Sequence, residues 1–264
     1  MLNITINNAT KVFQFNTVLQ NIKNISNTIL LTCDESGLYA QGMDGSHICL
    51  FELKIGSEWF DNYDCDEPSS MGINCEMLYK IISCLKEGQH INMKHNQTTS
   101  KLEIDLLGNS YDKSFELKLI DVYTELMTLP EKEYAADIKF VSQDYAELIN
   151  QLSIFGEKLK ITCNDNIILN SENDFGKVDI IVKEDDIIEY MMEEGSEIES
   201  LFGLKYIQMI TRFAKLNKEV CIHISNDFPI KFVYSLHDWK EENDEEVEDL
   251  KHYIAFYLAP MEDE

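Results

Sequence analysis

Lys205, Gln208, Arg212 and Lys215 follow one another at steps of three, four and three residues, the spacing that stacks side chains on one helical face. Residues 203–218 hold no carboxylate but four cations, Lys205, Arg212, Lys215 and Lys218, and Arg212 is the only arginine in the chain. Cations in helical register suit phosphate oxygens, because charge alone makes the contact and successive phosphates are interchangeable. Tyr206, Ile207, Ile210, Phe213 and Ala214 form an apolar stripe opposite. Lys23 repeats the pattern beside Asn16 and Gln20 in an earlier segment, and Lys80 with Ser83 in another. A solvated helix face accounts for each stripe alone. Their segregation in a chain of net charge −26 suits a polyanion bound on one side and repelled elsewhere.

Other residue sets do less. His47 lies near Asp44, but no nucleophile or second acid stands at a defined spacing, so a hydrogen-bonded structural histidine is expected. Seven cysteines form no CxxC pair and read as free thiols, mostly core residues, with no metal or redox role. The phosphate-loop, dinucleotide, serine-hydrolase and zinc-protease motifs are absent. Catalytic residues, metal and cofactor are therefore expected to be none. Eight carboxylates in residues 184–199 and seven in 241–249 read as solvated loops, since a continuous acidic string lacks the convergence a cation site needs. With 44% hydrophobic and 27% charged residues, the composition is that of a soluble globular protein. No apolar run reaches the ~18 residues of a membrane span, and the first residues do not read as a signal peptide.

The elements that would carry these residues recur. Val12, Phe15, Leu19 and Ile22 mark a first helix; Leu78, Ile81, Ile82 and Leu85 a second; Tyr145, Leu148, Ile149, Leu152 and Phe155 a third; the stripe at 206–214 a fourth. Thr10, Asn74 and Ser142 are the expected N-caps of the first three, and Gly156 the stop of the third. Strands are expected at 29–33, 38–43, 48–54, 91–94, 102–106, 115–119, 137–140, 167–170, 178–182, 220–224 and 231–235. Helices starting near 9, 74, 142 and 203 are separated by 65, 68 and 61 residues. The chain thus reads as four βαβββ-like units, an α+β fold of two similar domains: residues 1–118, a connecting loop at 119–134, and residues 135–264.

Longer motifs carry a family resemblance. Ser36-Gly37-Leu38-Tyr39-Ala40-Gln41-Gly42-Met43-Asp44-Gly45-Ser46-His47 resembles the SGxxxQxMDxSH stretch of the eukaryotic sliding clamps, the proliferating cell nuclear antigen family. Phe60-Asp61-Asn62-Tyr63-Asp64-Cys65-Asp66, Met71-Gly72-Ile73-Asn74 before Lys80-Ile81, Leu129-Pro130-Glu131-Lys132-Glu133-Tyr134 and the tail from Tyr257-Leu258-Ala259-Pro260 are similar to further motifs of that family, in order along the chain.

The resemblance implies the DNA clamp fold: a homotrimeric ring, helices lining the inside and sheets forming the outside, encircling double-stranded DNA without reading sequence. It implies a processivity factor for DNA polymerase, loaded by an ATP-dependent clamp loader, and no enzyme and no membrane partner. DNA contacts would come from Lys23, Lys80, Lys205, Arg212 and Lys215. Proteins with a Gln-x-x-aliphatic-x-x-aromatic-aromatic motif would bind Met43, His47, Met127, Leu129, Pro130, Pro229, Tyr257, Leu258, Ala259 and Pro260. Subunits would meet through Tyr111, Phe115 and Leu117 on one edge and Val178, Ile180 and Val182 on another. The family's basic residues are missing in places: Asn16 and Thr17, and Glu147 and Asn150, stand where lysines or other cations are usual, and residues 163–166 carry no lysine. A specialised checkpoint or repair clamp assembling with other subunits is the alternative. The expected location is the nucleus, or a cytoplasmic viral replication site; the Lys-over-Arg, Asn- and Ile-rich usage hints at a viral or parasite source.

Overall fold

The structure is a computed structural model that describes residues 1–109, 111–122, 127, 129, 133–192, 195–236 and 251–262. The chain divides into two compact units. One comprises Met1–Gly45, Phe51–Met127 and Leu236–Ile254; the other comprises Ser46–Leu50, Thr128–Ser235 and Ala255–Glu264.

The first unit is built from β1 (Leu2–Ile6), α1 (Ala9–Ile22), β2 (Thr28–Asp34), β3 (Gly37–Met43), β4 (Cys49–Gly56), β5 (Asn62–Cys65), β6 (Ser69–Asn74), α2 (Cys75–Ile82), β7 (Gln89–His95), β8 (Lys101–Gly108) and β9 (Lys113–Lys118). One sheet runs β5-β1-β7-β8-β9 and the other contains β4-β3-β2-β6. Every recorded pairing is antiparallel, with Ile4 flanked by Tyr63 on one side and Met93 on the other. Alternation explains the strands. Leu2, Ile4 and Ile6 are buried while Asn3 and Thr5 are half-buried, the mark of a sheet with one covered face.

The second unit repeats this order: β10 (Ala136–Val141), α3 (Ser142–Leu152), β11 (Lys158–Cys163), β12 (Ile167–Asn173), β13 (Gly176–Val182), β14 (Glu189–Met192), β15 (Ile198–Gly203), α4 (Leu204–Thr211), β16 (Glu219–Ile224), β17 (Ile230–Ser235) and β18 (His252–Leu258). Its sheets run β14-β10-β16-β17-β18 and β13-β12-β11-β15. Setting aside the short β5 and β14, the chain is β-α-β-β-β four times, as the spacing predicts. Each helix packs beside its counterpart, α1 with α2 and α3 with α4. Their apolar faces are buried: Val12, Phe15, Leu19 and Ile22 in α1; Leu78, Ile81 and Ile82 in α2; Tyr145, Ile149 and Leu152 in α3. Each fully buried large aliphatic or aromatic side chain stabilises its unit by roughly 1.5–3 kcal/mol.

Helix ends differ from expectation in detail. Asn74 caps α2 through Met77 N–H at 2.9 Å. Asn8 rather than Thr10 caps α1, its Oδ1 accepting from the Thr10 and Lys11 amides. Thr10 is already inside the helix, so its amide is one of those needing a cap. Ser142 is likewise the first residue of α3, and its amide donates to Lys218 O instead. The third helix stops at Leu152 with a right-handed Ser153, so Gly156 is not its stop. A Cβ there would lie 2.5 Å from Ser171 Oγ and 2.9 Å from Glu172 O; close packing demands the glycine. The fourth helix tightens after Thr211 into a 3₁₀ turn, Arg212–Lys215.

Candidate nucleic-acid and partner interfaces

In the first unit the polar side of the helix pair is less cationic than its lysines suggest. Lys80 Nζ lies 2.7 Å from Glu76 Oε1, one turn earlier. That ion pair holds the Glu76 carboxyl below its ordinary range, by the hydrogen bond to Lys80 first and its charge second, with Lys23 adding to it. Lys23 Nζ sits 5.0 Å from the centre of the Tyr79 ring, a cation–π contact between the two helices. Asn16 is half-buried, Gln20 is exposed, and Phe13 of the same helix is exposed as well. Thr17 and Asn21 turn inward, where they satisfy main-chain oxygens of Phe13 and Thr17. The reading of the α2 polar face from Lys80 and Ser83 passes over Glu76, though its i,i+4 spacing to Lys80 is the signal of an ion pair.

In the second unit the two helices differ in charge. Helix α3 carries Asp144 and Glu147, and Gln151 Nε2 donates to Glu147 Oε1 at 3.4 Å. Lys205, Arg212, Lys215 and Lys218 of the other segment are all exposed. Lys205 Nζ lies 4.6 Å from the Tyr206 ring centre. The 3₁₀ turn keeps Arg212 and Lys215 three residues apart on one side, since that helix has three residues per turn. The cationic stripe thus survives the break in the α-helix.

The residues expected to hold partners fall in both units. In the first, Met43 ends β3, and Gln41 clamps Met127: Nε2 donates to Met127 O at 3.1 Å and Oε1 accepts from Met127 N at 2.7 Å. The Met127 side chain is 52% exposed, so the clamp holds the main chain and leaves the side chain outward. The segment before it is anchored at Gly72. Ile120 N–H donates to Gly72 O at 2.9 Å, and a Cβ on Gly72 would meet Ile120 O at 1.9 Å.

In the second unit, His47 is exposed with a left-handed φ of 58°, in the turn before β4. No hydrogen bond to its ring is found among the described residues, which corrects the expectation of a hydrogen-bonded structural histidine; the turn, open to water, gives the ring nothing to bond. Ala259 N–H donates to Ile48 O at 3.0 Å. Tyr257, Ala259, Pro260, Leu129 and Pro229 are half-buried, whereas Leu258 is fully buried. Tyr134 hydroxyl donates to Pro229 O at 3.3 Å, and Lys231 Nζ lies 5.7 Å from the Tyr257 ring centre. Pro130, the acidic residues 241–249, and half of the connecting loop lie outside the described residues.

Each unit also ends in an open sheet edge. Among the described residues, strand β9 pairs only with β8, and β13 only with β12. On β9, Phe115 is half-buried and Leu117 buried; just before it, Tyr111 is 76% exposed. On β13, Val178 and Ile180 are half-buried, Val182 is buried, and Ile181 is 59% exposed. The hairpin joining β12 to β13 carries Phe175 at its tip, 95% exposed, and Asn173 Oδ1 fixes that tip by accepting from the Phe175 and Gly176 amides. Phe175 is absent from the interface residues read from sequence; a large aromatic between Asn-Asp and Gly in a turn is the signal that points to it.

Among the described residues, no cluster of His, Cys, Asp and Glu could hold a metal ion, and no helix is long and apolar enough to cross a membrane. Burial pushes the Cys33, Cys75 and Cys163 thiols up to about 12.

A doubled βαβββ sheet unit, repeated along one chain, with paired helices presenting polar faces, defines a protein of the DNA clamp fold. The model of the proliferating cell nuclear antigen N-terminal domain matches residues 1–126, and that of the C-terminal domain matches residues 128–243. The chain belongs to the proliferating cell nuclear antigen family of sliding clamps.

Proposed function

We propose that this chain is a DNA polymerase processivity factor: a homotrimeric ring that encircles duplex DNA and tethers replication and repair proteins. It acts as a scaffold and not as an enzyme. The observation that carries the reading is that two unlike sheet edges, β9 on one unit and β13 on the other, are open among the described residues and lie beside the exposed Tyr111 and Phe175. Unlike edges in one subunit support head-to-tail contacts, and such contacts close into a ring where the rotation permits. Phosphate contacts fall mainly to the exposed Lys205, Arg212 and Lys215, in a segment without acids, with Lys23 contributing as well and Lys80 more weakly because Glu76 already neutralises it. Retention is topological, so these contacts need only be weak and mobile, and a net charge of −26 per subunit does not prevent it.

Partner proteins insert one helical turn beside Met43, His47, Met127, Leu129, Pro130, Pro229 and residues 257–260, their three anchors sharing a face at i, i+3 and i+4. The half-exposed Met127 side chain on a clamped main chain supports this, since a pre-ordered apolar group binds at low entropic cost. An ATP-dependent loader opens the ring. The chain works in the nucleus, or at a cytoplasmic viral replication site.

Light scattering of the pure chain tests the assembly. The reading requires a particle of about 92 kDa, three times the 30.6 kDa of one chain. A monomer that assembles only with other proteins would support a specialised checkpoint or repair subunit instead.

A further inference from the structure

In the first unit, β3 places Tyr39, Gln41 and Met43 on one face, since side chains along a strand alternate with a period of two. Gln41 is only 5% exposed, and its amide is bonded on both sides. Nε2 donates to Met127 O at 3.1 Å and to the Tyr39 hydroxyl at 3.5 Å, and Oε1 accepts from Met127 N at 2.7 Å. A flipped amide would set oxygen against oxygen and N–H against N–H, so one orientation alone clamps the Met127 main chain.

Behind Gln41 stands a second set of bonds. The Tyr39 hydroxyl donates to Glu52 Oε1 at 3.1 Å, and the Tyr253 hydroxyl donates to Glu52 Oε2 at 3.0 Å. All of these residues belong to the first unit. A phenol has a single proton, and a carboxylate only accepts. Glu52 therefore takes the Tyr39 proton and leaves the Tyr39 oxygen facing Gln41 as an acceptor, which only the Nε2 side of the amide can meet. Burial, and after it the Glu52 charge, push the Tyr39 and Tyr253 phenols well above their ordinary range, so both keep their protons.

We propose that Tyr39 and Glu52 are positioning residues for the partner site: Glu52 fixes the Tyr39 hydroxyl, and Tyr39 fixes the Gln41 amide in the orientation that clamps Met127. Tyr253 holds the far carboxylate oxygen and keeps Glu52 in place. A glutamine side chain loses rotamer freedom when it is fixed. A half-buried phenol that already holds it lowers the cost of the clamp, and the exposed Met127 side chain is presented from an ordered main chain. Tyr39 and Glu52 act on a partner only through Gln41. The inference deepens the partner reading above and rests on it for its purpose, whereas the relay itself is read at Met127 with no partner present.

The test follows exchange of the Met127 amide by NMR in the full chain carrying nitrogen-labelled methionine, beside calorimetry with a peptide of the Gln-x-x-aliphatic-x-x-aromatic-aromatic motif. Tyr39→Phe and Glu52→Ala should each speed Met127 exchange about three- to tenfold and weaken the peptide by a similar factor, the worth of one hydrogen bond. Glu52→Gln keeps an oxygen that accepts from Tyr39 and should restore both readouts to near wild type. In a Gln41→Ala background, Tyr39→Phe should add no further loss, because residues that act through one relay are not additive. The proposal is overturned by unchanged exchange in Tyr39→Phe and Glu52→Ala, by a Glu52→Gln variant as impaired as Glu52→Ala, or by a further loss in the double variant. A wild type that binds no peptide, while exchange responds as stated, would bring down the partner reading alone and leave the relay standing.

Discussion

Lys80 and Glu76 form an ion pair of 2.7 Å across one turn of α2, so a lysine proposed for phosphate contact already holds a carboxylate. Both side chains are more than half exposed, and the pair itself adds little to stability. Its consequence lies in binding. Glu76→Gln should free the Lys80 charge and strengthen DNA retention about two- to fivefold. The salt dependence of log K should steepen by about one for each lysine newly paired with a phosphate. Retention measured across a salt series checks this, and an unchanged slope would remove Lys80 from the DNA-contacting set.

The stripe of Lys205 and Arg212 should matter more, because no acid lies within residues 203–218. Lys205→Glu with Arg212→Glu should cut loader-dependent processivity at least tenfold and leave the oligomer intact. The variant's affinity should also depend less steeply on salt. Primer extension beside light scattering reads both, and full processivity in the double variant would place the contacts elsewhere.

Phe175 is 95% exposed at a hairpin tip beside the open edge of β13. Such exposure leaves nothing to lose inside the chain, so Phe175→Asp should leave unfolding unchanged. If the edge is a subunit contact, that variant should dissociate at concentrations at least tenfold higher than wild type, an expected cost of over ~1.4 kcal/mol. Ile181→Pro, which removes a main-chain donor on the edge strand, should yield monomers. Sedimentation at several concentrations reads both variants.

Much of the fold is legible in the sequence because it repeats. All four helices start within one residue of the expected positions, since each apolar stripe is anchored by residues that are buried. The strands are less evenly legible. Leu2–Ile6, Lys158–Cys163 and Ile198–Gly203 alternate cleanly, yet the strands expected from sequence do not include them. Asn62–Cys65 and Glu189–Met192 are four residues each, half exposed; they are strands only because β1 and β10 lie beside them. The sequence reading places the cap of α1 at Thr10, but the chain turns helical at Ala9, so Thr10 lies inside the helix and Asn8 caps it. The cationic faces are legible by composition, while the neutralisation of Lys80 and the ring contact of Lys23 needed side-chain positions.

Stability should respond at Trp59, which is buried and whose Nε1–H donates to Leu236 O at 3.0 Å. Trp59→Phe keeps most of the apolar contact but leaves that carbonyl without its donor. A loss of about 1–3 kcal/mol is expected, read as a lowered midpoint in urea.

Thiol chemistry should single out one residue. Cys84 is the exposed cysteine, whereas Cys33, Cys49, Cys75 and Cys163 are buried. At mildly alkaline pH a thiol reagent should modify Cys84 first, and Cys84→Ser should abolish the fast phase. Cys33, Cys75 and Cys163, with thiols raised to about 12, should react only on unfolding, since the thiolate is the reactive form.

The central claim is that the protein holds DNA by encircling it. It is tested most directly by loading the labelled chain onto a singly nicked circular duplex, isolating the complex, and cutting the circle at one site. The account predicts that the protein stays on the circle through gel filtration and leaves within minutes of linearisation, and that bulky blocks at both ends of the linear product restore retention. Equal retention on circular and open linear DNA, or loss from both, would contradict it.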